Sequence, residues 1–111
     1  EQKTIVNMGG TMRLGAFKCH IKENTLAHQI YGQTDISERH RHRYEFNNKY
    51  LEIFHDHGMI ASGINPDSDL VEIIEMPAHK FFIGVQFHPE YKSTILKPHP
   101  LFCAFVKACL V

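Results

Sequence analysis

The sequence predicts an α/β domain, one folded unit across 111 residues. Three observations carry that expectation. The stretch FFIGVQFHPE, Phe81 to Glu90, is a run of strand formers that breaks at Pro89, which cannot donate a ladder hydrogen bond. Two helical stretches have a capping residue in front and a Gly behind: Asn24 or Thr25 before Gly32, and Asn47 or Asn48 before Gly58. No repeat, linker or low-complexity segment interrupts the chain, and its 43% hydrophobic and 22% charged residues are ordinary for a soluble globular protein.

The elements follow in order. Thr4 to Met8 is a short apolar stretch running into Gly9-Gly10. Met12 to Ile21 alternates loosely and reads as a strand broken at Gly15. The GGTMRLG segment is Gly-rich but lacks the Gly-Lys-Ser/Thr of a P-loop and the GxGxxG spacing, so a turn feeding a strand fits it better. A short helix runs through Tyr31, with Leu26, Ile30 and Tyr31 toward the core, and Gln33 to Ser37 forms a loop. In extended ERHRHRYEFN, Arg39, Arg41 and Arg43 share one face and His40, His42 and Tyr44 the other. Lys49 to His57 is a helix with Tyr50, Ile53 and Phe54 as its apolar stripe. Met59 to Ile64 and Leu70 to Met76 are strands around the Asn65-Pro66-Asp67 turn, and FFIGVQF follows at once, which suggests a meander. After a loop from Tyr91 to His99, Leu101 to Leu110 is a helix whose apolar face includes Phe102, Phe105, Val106 and Cys109.

Composition excludes several classes. A formal net charge of zero argues against nucleic-acid or membrane binding by bulk charge. No apolar run approaches the roughly 20 residues of a membrane span. The nine His residues make the charge sensitive to pH below about 6.5. Cys19, Cys103 and Cys109 are an odd number without CxxC spacing, which fits reduced thiols in the cytoplasm, and no secretory signal opens the chain. A start at Glu1 without Met is expected for a portion of a longer protein.

Two constellations could carry chemistry. A strand ending at Pro89 delivers His88 and Glu90 to the strand's C-terminal end, where ligands bind in open α/β sheets. His88 suits proton transfer near neutral pH, and Glu90 could orient and stabilise it. On spacing alone, a strand-end His is usually a capping or packing residue, and His-x-Glu occurs often by chance. The Arg-rich stretch has four readings. As a nucleic-acid strip it is short and flanked by Glu38 and Glu45. As a zinc site, His40 and His42 lack a completing ligand, and His55 and His57 diverge by about 200° on a helix. It could also be a solvated charged surface, or a carboxylate site using the planar Arg fork.

The motif GVQFHPE resembles the second active-site motif of class I glutamine amidotransferases. GGTMRLG, ERHRHRYEFN, LVEIIEMP, GVQFHPE and HPLFCAFVKA, in this order, resemble the C-terminal half of the glutaminase domain in the CTP synthase family, and the resemblance covers nearly the whole chain. It implies a flavodoxin-like, Rossmann-like three-layer fold, of which residues 1–111 are an incomplete C-terminal part with a mixed sheet. It implies that His88 is the general base and Glu90 its orienting carboxylate. It also implies that Arg43 holds the glutamine α-carboxylate, that the backbone of Tyr44 helps seat the amino-acid end, and that no metal is bound. The GGTMRLG region is linked in the family to activation by GTP, with no residue here fixed to that role.

The family's nucleophilic Cys and its oxyanion-hole groups lie in an N-terminal half without counterpart here. Cys19, Cys103 and Cys109 match no nucleophile position; Cys103 and Cys109 read as packing residues on a helix face. The chain alone is therefore expected to be inactive. For the parent protein the resemblance implies cytoplasmic, ATP-dependent amination of UTP to CTP with ammonia from glutamine. ATP and magnesium would belong to a synthetase domain, the assembly would be a homotetramer, and no cofactor, nucleic acid or membrane would involve this part. GVQFHPE by itself also fits another class I amidotransferase or a γ-glutamyl hydrolase. A His-rich metal-binding module is the reading from a different class.

Overall fold

A computed structural model describes residues 13–110; the Thr4 to Met8 stretch and most of GGTMRLG lie outside the described residues. Strand β1 (Arg13–Ile21) pairs antiparallel with β2 (Asp35–His42), from Arg13 opposite His42 to His20 opposite Asp35. It runs through Gly15 without the expected break. Helix α1 (Leu26–Tyr31) makes the connection. Of the two candidate caps, Thr25 accepts from the His28 N–H, while Asn24 sits at φ 64 in the turn before it. Gly32 ends the helix at φ 73, a left-handed conformation that a residue without Cβ adopts freely. Asp35 already belongs to β2, so the expected loop to Ser37 is shorter than read.

Strands β3 (Ile60–Ile64), β4 (Val71–Glu75) and β5 (Ile83–Val85) form the expected meander. The described sheet has the order β2-β1-β3-β4-β5. The α/β expectation holds, but the mixed sheet does not: every pairing among the described residues is antiparallel. Within the meander the physical reason is connection length, since parallel neighbours need a crossover of a dozen or more residues. The β1–β2 and β1–β3 links are long enough for either direction, and their register is antiparallel all the same.

The FFIGVQF strand is also shorter than read, because the chain leaves β4 after Val85. The Gln86 N–H still bonds the Glu72 carbonyl at 2.9 Å, but two residues on, the His88 N–H bonds the Arg39 carbonyl of β2 at 2.8 Å. β2 and β5 are opposite edges of the sheet, so it must curl to bring them this close. The core fills the curl: Cys19, Ile21, Ala27, Ile36, Ile73, Phe87 and Leu101. Ile30 and Tyr31 pack against it as expected, while Ala27, fully buried, takes the central place on α1 instead of Leu26. Gly63 lies where β3 crosses this core. A Cβ there would come within 2.7 Å of the Ile73 side chain and 2.8 Å of the Cys19 sulfur.

Glu75, 2% exposed, accepts the N–H groups of Leu26 at 2.8 Å and Ala27 at 3.0 Å. A β4 carboxylate thus satisfies two of the free N–H groups that open α1, where negative charge is favoured.

The other two helices turn differently from expectation. Helix α2 (Leu51–Asp56) follows a 3-10 turn, Asn48–Tyr50, capped by Asn47; Tyr50, Ile53 and Phe54 are exposed. Helix α3 (Pro100–Cys109) packs on α1 through Leu101, with Ala104 and Ala108 half-buried behind it. These residues share one helical face, and small side chains allow close approach. Phe102, Phe105 and Val106 are exposed, and so are Cys103 and Cys109, which are not packing residues.

Two predictions follow from this packing. Gly63→Ala overfills the core and should destabilise by about 1–3 kcal/mol; an unchanged urea midpoint would contradict the close approach. Residues 1–111 expressed alone should self-associate through Phe102, Phe105 and Val106 on α3, Leu110 at its C-cap, and Ile95 and Leu96 before it. Sedimentation velocity at micromolar concentration checks this, and a monomer would contradict it.

Candidate active site

Alternation along the chain sets the site's polarity. Phe87 points inward, 4% exposed, with its ring 5.8 Å from that of His40 and nearly edge-on. His88 therefore faces outward, and its side chain is 36% exposed. Pro89 then opens a 3-10 turn, Pro89–Lys92, that folds the chain back on the histidine. Glu90 Oε2 lies 2.7 Å from His88 Nδ1. The carboxylate can only accept, so Nδ1 carries the proton and Nε2 keeps its lone pair, directed away from Glu90. The Tyr91 ring stacks on the imidazole at 4.9 Å and 13°. The Lys92 amine donates to the Ser37 carbonyl at 2.6 Å, so the turn is tied to β2 at both ends.

The hydrogen bond from His88 holds the Glu90 carboxyl below the usual carboxylate range, with a backbone N–H helping. The sign follows from that lowering. The pair is intact wherever Glu90 is ionised, which includes neutral pH, and is lost as pH falls through the lowered value.

Arg43 and Tyr44 lie just beyond the end of β2, so they leave the alternation expected of the Arg-rich stretch. Both are exposed, and Tyr44 turns away from the face shared by His40 and His42. The Tyr44 carbonyl accepts from Gln86 Nε2 at 3.1 Å, which ties this loop to the segment that carries His88. The Arg43 guanidinium makes no hydrogen bond or ion pair among the described residues. His88 and Glu90 thus meet directly, while Arg43 and Tyr44 join them through Gln86.

The two histidines of the same stretch are not a solvated surface: each sits against a carboxylate. His40 lies 3.6 Å from Glu72 with both side chains fully buried, and His42 donates to Glu45 at 2.7 Å. His55 and His57 are exposed on α2 and its C-cap, and His57 Nδ1 donates to the Ile53 carbonyl. Among the described residues no group of three or more His, Cys, Asp or Glu could hold a metal. Three site components were not legible: Gln86, the stacked Tyr91 and the Arg39 carbonyl. For Tyr91 a signal existed, since a residue three after His88 comes back beside it in a 3-10 turn opened by Pro89.

The model of the family "Glutamine amidotransferase class-I" matches residues 1–108. The CTP synthase of Flavobacterium psychrophilum is 67% identical over 110 residues, which are 99% of this chain and 20% of that protein. That of Bdellovibrio bacteriovorus is 60% identical, over 99% of this chain and 21% of its own length. The chain spans about a fifth of the length of the curated relatives it matches. A solved structure, the glutaminase domain of Trypanosoma brucei CTPS with bound acivicin, superposes with a TM-score of 0.85 at 38% identity, covering 91% of this chain and 40% of that one. This likeness identifies the curled sheet as part of a class I glutaminase fold. With the family match running nearly end to end and through the turn that pairs His88 with Glu90, the chain belongs to the class I glutamine amidotransferases and matches the glutaminase domain of CTP synthase.

Proposed function

We propose that the protein hydrolyses glutamine to release ammonia, and that this chain supplies the acid–base pair and part of the substrate clamp. The observation that carries the reading is the His88–Glu90 contact at 2.7 Å, which leaves the imidazole's Nε2 free to take a proton. The nucleophile is a cysteine beyond these 111 residues. Cys19 is buried in the core, and Cys103 and Cys109 lie on α3.

The chemistry follows from the tautomer. The thiol gives its proton to His88 Nε2, the resulting thiolate adds to the amide carbon of glutamine, and the tetrahedral oxyanion collapses to a thioester. The departing amine takes its proton from the protonated His88. His88 Nε2 then removes a proton from water, which attacks the thioester and frees glutamate. Glu90 stays ionised throughout, stabilising the imidazolium and preventing ring rotation. Arg43 pairs with the substrate α-carboxylate, and Tyr44, its carbonyl fixed by Gln86, offers backbone to the amino-acid end. The neighbouring structure supports this substrate class, since acivicin is a glutamine analogue.

The CTP synthase relatives extend the proposal to the whole protein. Ammonia is consumed in an ATP-dependent amination of UTP to CTP, magnesium accompanies ATP in a separate synthetase part, and GTP activates. The complete protein is a cytoplasmic homotetramer.

The test is the ratio of glutamine-dependent to ammonia-dependent turnover in the complete protein. His88→Ala should abolish the first and keep the second. Losing the base costs several orders of magnitude in comparable triads, and Glu90→Ala should cost less. A wild-type ratio in His88→Ala would sink the acid–base reading. Arg43→Ala should act mainly on glutamine KM, since hydrogen bonds to charged groups contribute on the order of 1.5–3 kcal/mol each. An equal loss of ammonia-dependent turnover would make Arg43 a structural residue.

A further inference from the structure

Beneath the site lies a buried polar cluster that the chemistry above does not use. Glu38 is 1% exposed, between Ile36 and His40 on the inward face of β2. Its Oε2 accepts from the Tyr31 hydroxyl at 2.7 Å and from His99 Nε2 at 2.5 Å; its Oε1 is buried without a partner. Tyr31 is the last residue of α1, and His99 is the N-cap of α3. Three elements therefore meet on one oxygen.

Geometry fixes every proton in this cluster. His99 Nδ1 accepts the Leu101 N–H at 3.0 Å, so the ring's proton sits on Nε2 and is donated to Glu38. Burial first, and then the bond to Glu38, push the Tyr31 pKa upward, so its hydroxyl stays protonated and donates. A buried carboxyl whose partners are a hydroxyl and an imidazole, with no Lys or Arg paired to it among the described residues, is an expensive way to fill a core, where apolar residues of similar volume are often at least as stable. Its value lies in placement.

In a strand, the carbonyls one residue before and one residue after a given position point to the same edge. The carbonyls on either side of Glu38 are those of Ser37 and Arg39. They accept the Lys92 amine and the His88 N–H, the two bonds that hold the His-Pro-Glu turn. The side chain of Glu38 is thus anchored to two helices while its backbone neighbours carry the candidate base.

We propose that Glu38, held by Tyr31 and His99, is a positioning residue for His88: the buried network fixes the β2 edge from which the acid–base histidine hangs. The inference rests on the reading of His88 given above. A base displaced by about 1 Å can lose on the order of 100-fold in rate.

The experiment uses the complete protein and two variants that leave the packing in place. Tyr31→Phe removes only the hydroxyl. His99→Asn keeps a side chain able to cap α3 but too short to reach Glu38. Each should lower glutamine-dependent kcat by about 10- to 100-fold with little change in glutamine KM, while ammonia-dependent turnover is retained. Glu38→Gln, whose amide oxygen still accepts both bonds, should keep most of the glutamine-dependent kcat. The proposal is overturned if both variants keep wild-type glutamine kcat, or if both activities fall together in step with Tm. His88→Ala is measured alongside. If it retains glutamine turnover, the acid–base reading itself fails; if it loses that turnover while Tyr31→Phe and His99→Asn do not, only the positioning role fails.

Discussion

The hydrogen bond from the His88 N–H to the Arg39 carbonyl is the contact on which the remaining geometry depends. It joins the chain leaving one edge of the sheet to the strand at the other edge. With the Lys92–Ser37 bond beside it, it closes the curl that Phe87 fills and mounts the Pro89–Lys92 turn on β2. A backbone bond suits this purpose because it holds position without occupying the side chain. The imidazole remains available to Glu90, Tyr91 and a substrate.

The interior that this closure creates is unusually polar. Glu38, His40, Glu72, Glu75 and His99 are all buried. Such groups cost desolvation energy, and each gives direction that an aliphatic side chain cannot. Glu75 sets where α1 begins, and Glu38 sets where α1 ends and α3 starts relative to β2. They also specify register. Sliding β2 by one residue would bring Arg39 and Arg41 inside and expel Glu38 and His40, which no rearrangement of this core could accommodate.

Much of this was legible in the sequence. The Thr25 cap, the Gly32 stop, the β3–β4–β5 meander, the inward Phe87 and the proximity of His88 to Glu90 follow from local rules of capping, turn chemistry and alternation. Less legible were features that depend on what each surface meets. The two-face pattern of ERHRHRYEFN could be read, but which face was inside could not. The buried residues there are Glu and His, types ordinarily found in water, and their partners Glu72 and His99 come from distant segments. Helix α3 misled for the opposite reason. Its large apolar residues lie outward, and Leu101 with two alanines makes the contact. The mixed-sheet expectation came from the whole family, and the described portion holds only antiparallel pairs.

The closure also differs from the hairpins in the length of chain it must close. The β3–β4 and β4–β5 pairs join neighbours across short turns, so the loops that must close are small. The Arg39–His88 bond brings together residues separated by nearly half the chain. Closing a loop of that length costs more chain entropy than closing either hairpin. The histidine's geometry thus depends on contacts that span nearly half the chain, while the meander that carries it depends only on local ones.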